Sequence, residues 1–264
     1  MSTKKALQGL PAVAAATVPA RSGPVLPQPR LGHLDLPCSD GLPMADSDEQ
    51  AATMTYSSDA LEVHFRNRND VYIAIDTFLY FWDRDLGKVI NVAPDLMVVI
   101  GVDGHMRQSY SVWEEGDRVP DFVMEIVSPS VTRKELDDKQ AIYERIGVTE
   151  YFVFDPWGVT PATVAGRRLH GRALRRGRYV PMEHSADGSV FSAALGLDLR
   201  VRRGETGRAY RALRFSDPRT GEDLETHVKT HEKLLEAERR VAELEALLAQ
   251  GGKAAEVPSD GEDR

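Results

Sequence analysis

Cysteine is almost absent from this chain. The only one among 264 residues is Cys38, so an intramolecular disulfide is excluded and the composition fits a reducing compartment. No apolar run is long enough to span a bilayer, and the alanine-rich stretch after Lys4 and Lys5 is too short for a convincing signal peptide. The sequence therefore predicts a cytoplasmic protein without a membrane segment.

Several familiar catalytic signatures are missing as well. The chain has no glycine-rich loop that could cradle a phosphate, and Ser128 lies outside a nucleophile-elbow context. The seven histidines show no metal-ligand spacing with the cysteine. Serine hydrolysis and histidine–cysteine metal sites are therefore disfavoured, which leaves carboxylates and lysines as the candidate groups.

The net charge of -8 is concentrated at the C-terminal end, where residues 222–264 hold twelve acidic and six basic residues. The central part is close to neutral, which neither supports nor forbids nucleic-acid binding. A run of arginines could follow a phosphate backbone or could be a solvated hairpin: Arg167, Arg168, Arg172, Arg175, Arg176 and Arg178. Of these, Arg175 and Arg176 are the weakly predicted nucleic-acid contacts.

The composition divides the chain into four parts. Residues 1–56 are rich in proline and poor in aromatics, so we expect disorder there. Residues 57–221 hold the folded domain. Residues 222–250 contain a heptad seam of Leu234, Ala237, Val241, Leu244 and Leu248, which predicts a coiled-coil helix. Residues 251–264 are acidic and are expected to be disordered.

Within the domain, the patterns predict a mixed sheet with a crossover helix, which is an α/β (α+β) core with flanking helices. A short helix is expected over 59–68 and a strand over 70–80. The apolar segments 94–102, 122–127 and 150–154 read as buried strands, with weaker hairpins over 163–201. The apolar stripe over 136–146 predicts an amphipathic helix that Gly147 caps.

Asp95 and Glu125 lie in or beside two of these apolar strands, and Lys139 lies on the amphipathic helix that follows. Buried carboxylates are costly unless a positive group meets them. Two carboxylates and a lysine can hold a divalent metal and activate water against a phosphodiester. The alternatives are a simple turn at Asp95, a local salt bridge at Glu125 and a solvated charge at Lys139.

Asp121 lies four residues before Glu125, so both side chains point to the same face of an extended strand. It could assist metal binding, but a role in the turn after Pro120 is favoured.

The motifs PDLMVVIGV at 94–102, SVWEE at 111–115 and the long segment from Pro120 to Pro156 resemble the Uma2 family of predicted bacterial endonucleases. That family belongs to the PD-(D/E)xK superfamily, whose fold is restriction-endonuclease-like. The resemblance covers roughly residues 70–196, and the DPRTGE run at 217–222 is similar too.

The resemblance implies that Asp95 and Glu125 are the metal-binding acids, with the Ile126 carbonyl as a further ligand for Mg²⁺ or Mn²⁺. Val127 occupies the usual position of the motif lysine, and Lys139 matches a helical lysine that replaces it.

Two features depart from the family pattern. Glu135 stands where an aspartate is common in the family. The helix before the first strand is expected to be shorter than in the family. Because a shorter helix could shift an acidic ligand, Glu62 is only an accessory candidate.

The resulting prediction is a metal-dependent endonuclease acting on nucleic acid, DNA above RNA. The alternatives are a catalytically inactive nucleic-acid-binding or protein-interaction module on the same fold, and a coiled-coil scaffold. The C-terminal helix suggests a homodimer, although it could also dock elsewhere or bind another protein.

Overall fold

The computed structural model describes residues 29–39, 41, 45–158, 166–203 and 211–253, with side chains to residue 247 in the last helix. The disorder expected over residues 1–28 and 254–264 lies outside these described residues. The chain divides into two compact units, Met1–Leu224 and Glu225–Arg264. Within the described ranges, no helix combines the length and apolar character that a bilayer crossing requires.

The first unit contains two helices and twelve strands among its described residues. In chain order they are α1 Asp48–Phe65, β1 Val71–Ile75, β2 Leu79–Asp83, β3 Lys88–Val92, β4 Leu96–Ile100, β5 Tyr110–Ser111, β6 Phe122–Ile126, α2 Arg133–Ile146, β7 Glu150–Phe154, β8 Leu169–Arg175, β9 Arg178–Pro181, β10 Val190–Ser192, β11 Leu197–Arg203 and β12 Arg211–Ser216. In the second unit, α3 spans His227–Lys253.

A six-stranded mixed sheet with the order β1-β4-β6-β7-β8-β9 forms the centre of the first unit. Strands β6 and β7 are parallel and are joined through α2, as the predicted crossover requires. Every residue of β4 and β6 is buried, because both faces of the sheet are covered. The expected α/β class, with flanking helices and a C-terminal helix, is therefore confirmed.

The two faces of this sheet bury different side chains. On one face, α1 and the sheet β10-β11-β12 pack against residues such as Val98, Phe122 and Phe152. On the other face, α2 and the sheet β3-β2-β5 pack against Met97, Val123 and other apolar residues. Alternation along β6 therefore places Glu125 on the same face as α2.

Helix α1 is longer than expected and begins at Asp48, so the predicted helix start at residue 59 and the boundary at residue 57 both fall inside it. Ser47 caps the helix by accepting a hydrogen bond from the Gln50 amide. The buried face includes the polar residues Thr53 and Ser57, whose hydroxyls donate to backbone carbonyls one turn earlier. Because these buried residues are polar, the first half of the helix lacks the apolar periodicity from which a helix is predicted.

The strand expected over 70–80 is instead two strands in different sheets. Asp76, between β1 and β2, has a φ of 43°, which turns the chain out of the extended conformation. The helix expected over 136–146 is confirmed as α2, and Gly147 ends it in the left-handed region at φ 90°. Strand β12 was not expected.

Candidate active site

Glu125 occupies the fourth position of β6, where it is 4% exposed and is met by two donors from α2. The Lys139 ammonium lies 2.6 Å from Oε2, and the Tyr143 hydroxyl donates to Oε1 over 2.6 Å. Lys139 and Tyr143 are four residues apart on the helix and therefore share one face. Helix α2, which follows β6 in the chain, therefore packs so that its Lys139 contacts Glu125 on β6.

Asp95 lies just before β4, beside the end of β6 that carries Glu125. The antiparallel register, in which Leu96 pairs with Met124, brings the two carboxylates to the same edge of adjacent strands. The Ile126 amide donates to Asp95 Oδ2 over 2.5 Å, and Gln50 Nε2 donates to Oδ1 over 3.0 Å. Asp95 is therefore oriented by contacts from both β6 and α1.

The charges of Glu125 and Lys139 affect the pKa of Asp95, and those of Glu125 and Asp95 affect the pKa of Lys139. Desolvation, followed by the negative charge of Glu125, raises the pKa of Asp95 to about 7, while Lys139 opposes the rise. Burial alone would lower the pKa of Lys139, but the carboxylates of Glu125 and Asp95 outweigh it, so that pKa is raised. Lys139 also donates to the Ala93 carbonyl over 3.2 Å. One ammonium thus faces two carboxylates.

This donor set fits a divalent cation. One ammonium faces two carboxylates, which leaves a net negative charge when both are ionised, and a bound cation would offset that charge. Carboxylate and carbonyl oxygens are the ligands that Mg²⁺ and Mn²⁺ prefer. Within the described ranges, no set of three carboxylate, histidine or cysteine side chains could hold a metal, so water and phosphate oxygens would have to complete a coordination shell.

The two accessory candidates lie away from this cluster. Asp121 accepts a hydrogen bond from the Ile100 amide over 2.8 Å at the start of β6, roughly 13 Å along the strand from Glu125. This contact joins the end of β4 to the start of β6, away from Glu125. Glu62 is exposed on α1 and accepts from Ser58, some 18 Å along the helix from Gln50.

The arginines of the predicted run lie in and beside the hairpin of β8 and β9 and have different surroundings. Arg175 and Arg176 are exposed at its turn, where Arg176 has a φ of 52°. Arg178 is paired with Glu144 at 2.9 Å, and Arg168 donates to the Pro156 carbonyl. Arg178 and Arg168 therefore serve local structure. Arg175 and Arg176 are exposed, which fits both a solvated hairpin and contact with a phosphate backbone.

Two residues of the cluster were not among the predicted site residues. Tyr143 was assigned to the apolar stripe of α2, although its spacing of four from Lys139 is a signal that could have placed it beside Glu125. Gln50 lies in the segment expected to be disordered, and no local pattern marks it. Its contact with Asp95 depends on the packing of α1.

Comparison with known proteins gives one family. Residues 43–202, more than half of the chain, match the family model described as "Uma2: Putative restriction endonuclease". Among solved structures, the chain is similar to "a putative nuclease belonging to DUF820" from Anabaena variabilis, with 13% identity and a TM-score of 0.41, over 56% of this chain and 74% of that chain. No curated protein matches the chain.

Proposed function

Because this chain belongs to the Uma2 family of restriction-endonuclease-like proteins, we propose that it is a Mg²⁺- or Mn²⁺-dependent endonuclease that hydrolyses phosphodiester bonds of nucleic acid, with DNA as the first candidate. Family membership supports the nuclease class and the nucleic-acid substrate. The observation that supports the metal-dependent chemistry is the placement of Asp95 beside Glu125, with Lys139 bonded to Glu125.

Asp95, Glu125 and the Ile126 carbonyl are the groups that would hold the cation. When bound, the cation lowers the pKa of a coordinated water and neutralises charge on the phosphate. Hydrolysis adds water across one P–O bond and leaves a phosphate monoester and a hydroxyl group. The protein supplies fixed ligands for this step, because Ile126 and Gln50 orient Asp95 while Tyr143 orients Glu125.

Lys139 is the cation nearest to Glu125 and is roughly a quarter exposed. Its ammonium carries three donors, and the contacts with Glu125 and Ala93 use two of them. The third can reach a phosphate oxygen or the attacking water. A compact point charge of this kind stabilises the negative charge that grows on the phosphate during hydrolysis.

The decisive experiment measures cleavage by the full-length protein with Mg²⁺, Mn²⁺ or Ca²⁺ on supercoiled DNA, single-stranded DNA and RNA. Glu125→Gln, Asp95→Asn and Lys139→Gln should each abolish cleavage while circular dichroism shows a folded protein. Glu62→Gln is the matched control, because Glu62 is exposed and away from the cluster. Cleavage that persists in folded Glu125→Gln would refute the proposal. Metal-independent binding without cleavage in the wild type would favour the inactive module.

We propose in addition that α3 pairs with the same helix of a second copy. Its apolar residues are exposed in the single chain, among them Leu234 at 54%, Val241 at 54% and Leu244 at 46%. They fall on the a and d positions of the heptad seam. Exposed apolar residues repeated at this spacing are typical of a helix that has a helical partner.

The charges beside the seam favour a parallel pair. With Leu234 at position a, Lys233 and Arg240 occupy g positions, and Glu238 and Glu245 occupy e positions. In a parallel pair each g residue faces the e residue of the next heptad, so basic meets acidic. An antiparallel pair would bring e to e and g to g, which are like charges. Two copies of the catalytic unit on one dimer suit cleavage of two strands.

A further inference from the structure

A cavity of about 300 Å³ lies on the α2 face of the central sheet, between α2 and strands β7 to β9. Its walls include Leu136 from α2 and Val153 from β7, both apolar. Arg133, Arg172 and Tyr151 supply polar groups to the same cavity. The volume is at the lower end of the range for small-ligand sites, which suits a group the size of one nucleotide.

The Tyr151 hydroxyl is a buried polar group without a hydrogen-bond partner in the described part of the protein. Tyr151 is 1% exposed, and its ring packs at 5.3 Å from that of Tyr143, which holds Glu125. A buried hydroxyl without a partner destabilises the folded protein, because it has lost its hydrogen bonds to water. A ligand that exchanged a hydrogen bond with Tyr151 would remove that cost.

The two arginines of the cavity are free to meet an anion. Among the described residues, neither Arg133 nor Arg172 has a carboxylate within ion-pair distance or a hydrogen-bond acceptor. The lining includes one carboxylate, Asp137, which is exposed. Its two histidines already contact backbone carbonyls, His170 that of Arg167 and His184 that of Leu169. The cavity therefore offers two guanidinium groups against one acid.

The cavity adjoins the candidate active site. Val153 is the register partner of Glu125 in the parallel pair β6 and β7, so the two side chains lie on neighbouring strands and on the same face. On α2, Gln140 lines the cavity and follows Lys139 directly. Lys139 itself does not line the cavity, but the cavity begins on the strand next to Glu125, within reach of the nucleotide beside a scissile phosphate at the candidate site.

We infer that this cavity is a subsite for one nucleotide of the strand being cut. Arg133 and Arg172 hold its phosphate, Leu136 and Val153 contact the nucleoside, and the Tyr151 hydroxyl exchanges a hydrogen bond with it. The inference depends on the proposed nuclease function and adds a specific means of binding the strand beside the cleavage centre. Guanidinium groups suit this role because they bind phosphate through paired N–H donors.

The test measures binding rather than cleavage. Fluorescence anisotropy of a labelled single-stranded tetranucleotide is recorded in EDTA at several salt concentrations. The double variant Arg133→Gln, Arg172→Gln should weaken binding at least roughly tenfold and reduce the slope of log affinity against log salt by about one. Arg66→Gln is the matched control, because Arg66 is an exposed arginine at the end of α1, which packs on the opposite face. Unchanged binding by the double variant would overturn the inference.

Tyr151→Phe provides a second measurement that a structural role would not reproduce. Loss of a partnerless hydroxyl should leave the melting temperature unchanged or raise it, while tetranucleotide affinity falls severalfold. A variant that melts earlier and binds normally would contradict the assignment. Inorganic phosphate that protects the wild type from melting as strongly as the tetranucleotide does would assign the cavity to a small anion instead.

The two proposals fail in different ways. Wild-type protein that cleaves with Mg²⁺ while the double variant binds the tetranucleotide normally would retain the nuclease and remove the subsite. Wild-type protein that neither binds nor cleaves any nucleic acid would remove both.

Discussion

The hydroxyl of Tyr143 donates to Glu125 Oε1 over 2.6 Å, one helical turn after Lys139, which contacts the other oxygen of the same carboxylate. Both donors lie on α2, so a single helix fixes both oxygens of a strand residue. Because Tyr143 is fully buried, its hydroxyl has little freedom to leave this contact. Tyr143 is therefore a positioning residue for the carboxylate.

Replacing Tyr143 with phenylalanine should lower nuclease activity roughly 10- to 100-fold, because groups that orient a metal ligand usually carry effects of that size. The control is Tyr179→Phe, which removes another buried hydroxyl, one that donates to the Val148 carbonyl. Tyr179→Phe should lose about 1 kcal/mol of stability and Tyr143→Phe about 1.5 to 3 kcal/mol, because only the second loses a hydrogen bond to a carboxylate. Mn²⁺ affinity measured by calorimetry should fall for Tyr143→Phe alone. Equal metal affinity in the two variants would contradict a positioning role.

The raised pKa of Asp95 makes a prediction about pH. Below the unfolded value of 3.8 the group is protonated in both states and contributes nothing. Between that value and about 7 the unfolded chain releases the proton while the folded chain retains it, so stability falls as pH rises. Above about 7 the loss is complete and constant. Asp95→Asn should remove this contribution, so its advantage in melting temperature over the wild type should grow from pH 4 to pH 7 in EDTA.

Divalent cations should act on the same group in the opposite direction. A cation binds the carboxylate and not the carboxylic acid, so Mn²⁺ should raise the melting temperature of the wild type more at pH 8 than at pH 5.5. Asp95→Asn should lose most of this stabilisation at both pH values. A wild-type shift that is equal at the two pH values would show that Asp95 is not a ligand.

The part of the fold that carries the candidate site was largely predictable from the sequence, because its signals are local. The strand that became β7 was assigned with its observed bounds, and Gly147 was placed correctly at the end of α2. The apolar run of β4, and that of β6 apart from Glu125, indicated strands buried on both faces. Asp95 and Glu125 were singled out because charges inside or beside apolar runs stand out. Lys139 was singled out because its helix closely follows Glu125 and because the resemblance to the family includes a helical lysine.

What the sequence did not reveal depends on contacts between distant segments. The start of α1 is polar on its buried side, and its Gln50 reaches Asp95 only because the helix packs beside the sheet. Strand β12 extends the β10-β11 sheet through pairing with β11, and its six residues include two arginines that interrupt the apolar pattern. The cavity near Tyr151 is built from α2 and three strands, so no single motif encodes it.

Glu150 joins the central sheet to the β10-β11-β12 sheet, and its loss should be costly. Its carboxylate accepts from the Ser192 hydroxyl at 2.5 Å and from the Ala193 and Ala194 amides at 2.9 and 3.3 Å. Glu150→Ala leaves these buried donors without a partner and should lower the free energy of unfolding by about 2 to 4 kcal/mol. Glu150→Gln keeps one acceptor oxygen and should lose less. Urea unfolding measures the difference, and equal midpoints for both variants would contradict this account.

The parallel pairing of α3 can be tested by exchanging charges in the full-length protein. The variant Glu238→Lys, Glu245→Lys places like charges at each g–e contact of a parallel pair, so sedimentation equilibrium should show a dimer weakened severalfold. Adding Lys233→Glu and Arg240→Glu restores opposite charges and should restore the wild-type dimer. In an antiparallel pair, e residues face e residues. The first variant would then replace glutamate–glutamate repulsion with lysine–lysine repulsion, and the dimer would be unchanged.

A charge in the seam tests whether α3 pairs at all. Val241→Asp places such a charge there and should give a monomer. A wild type that is monomeric at high concentration would exclude self-pairing.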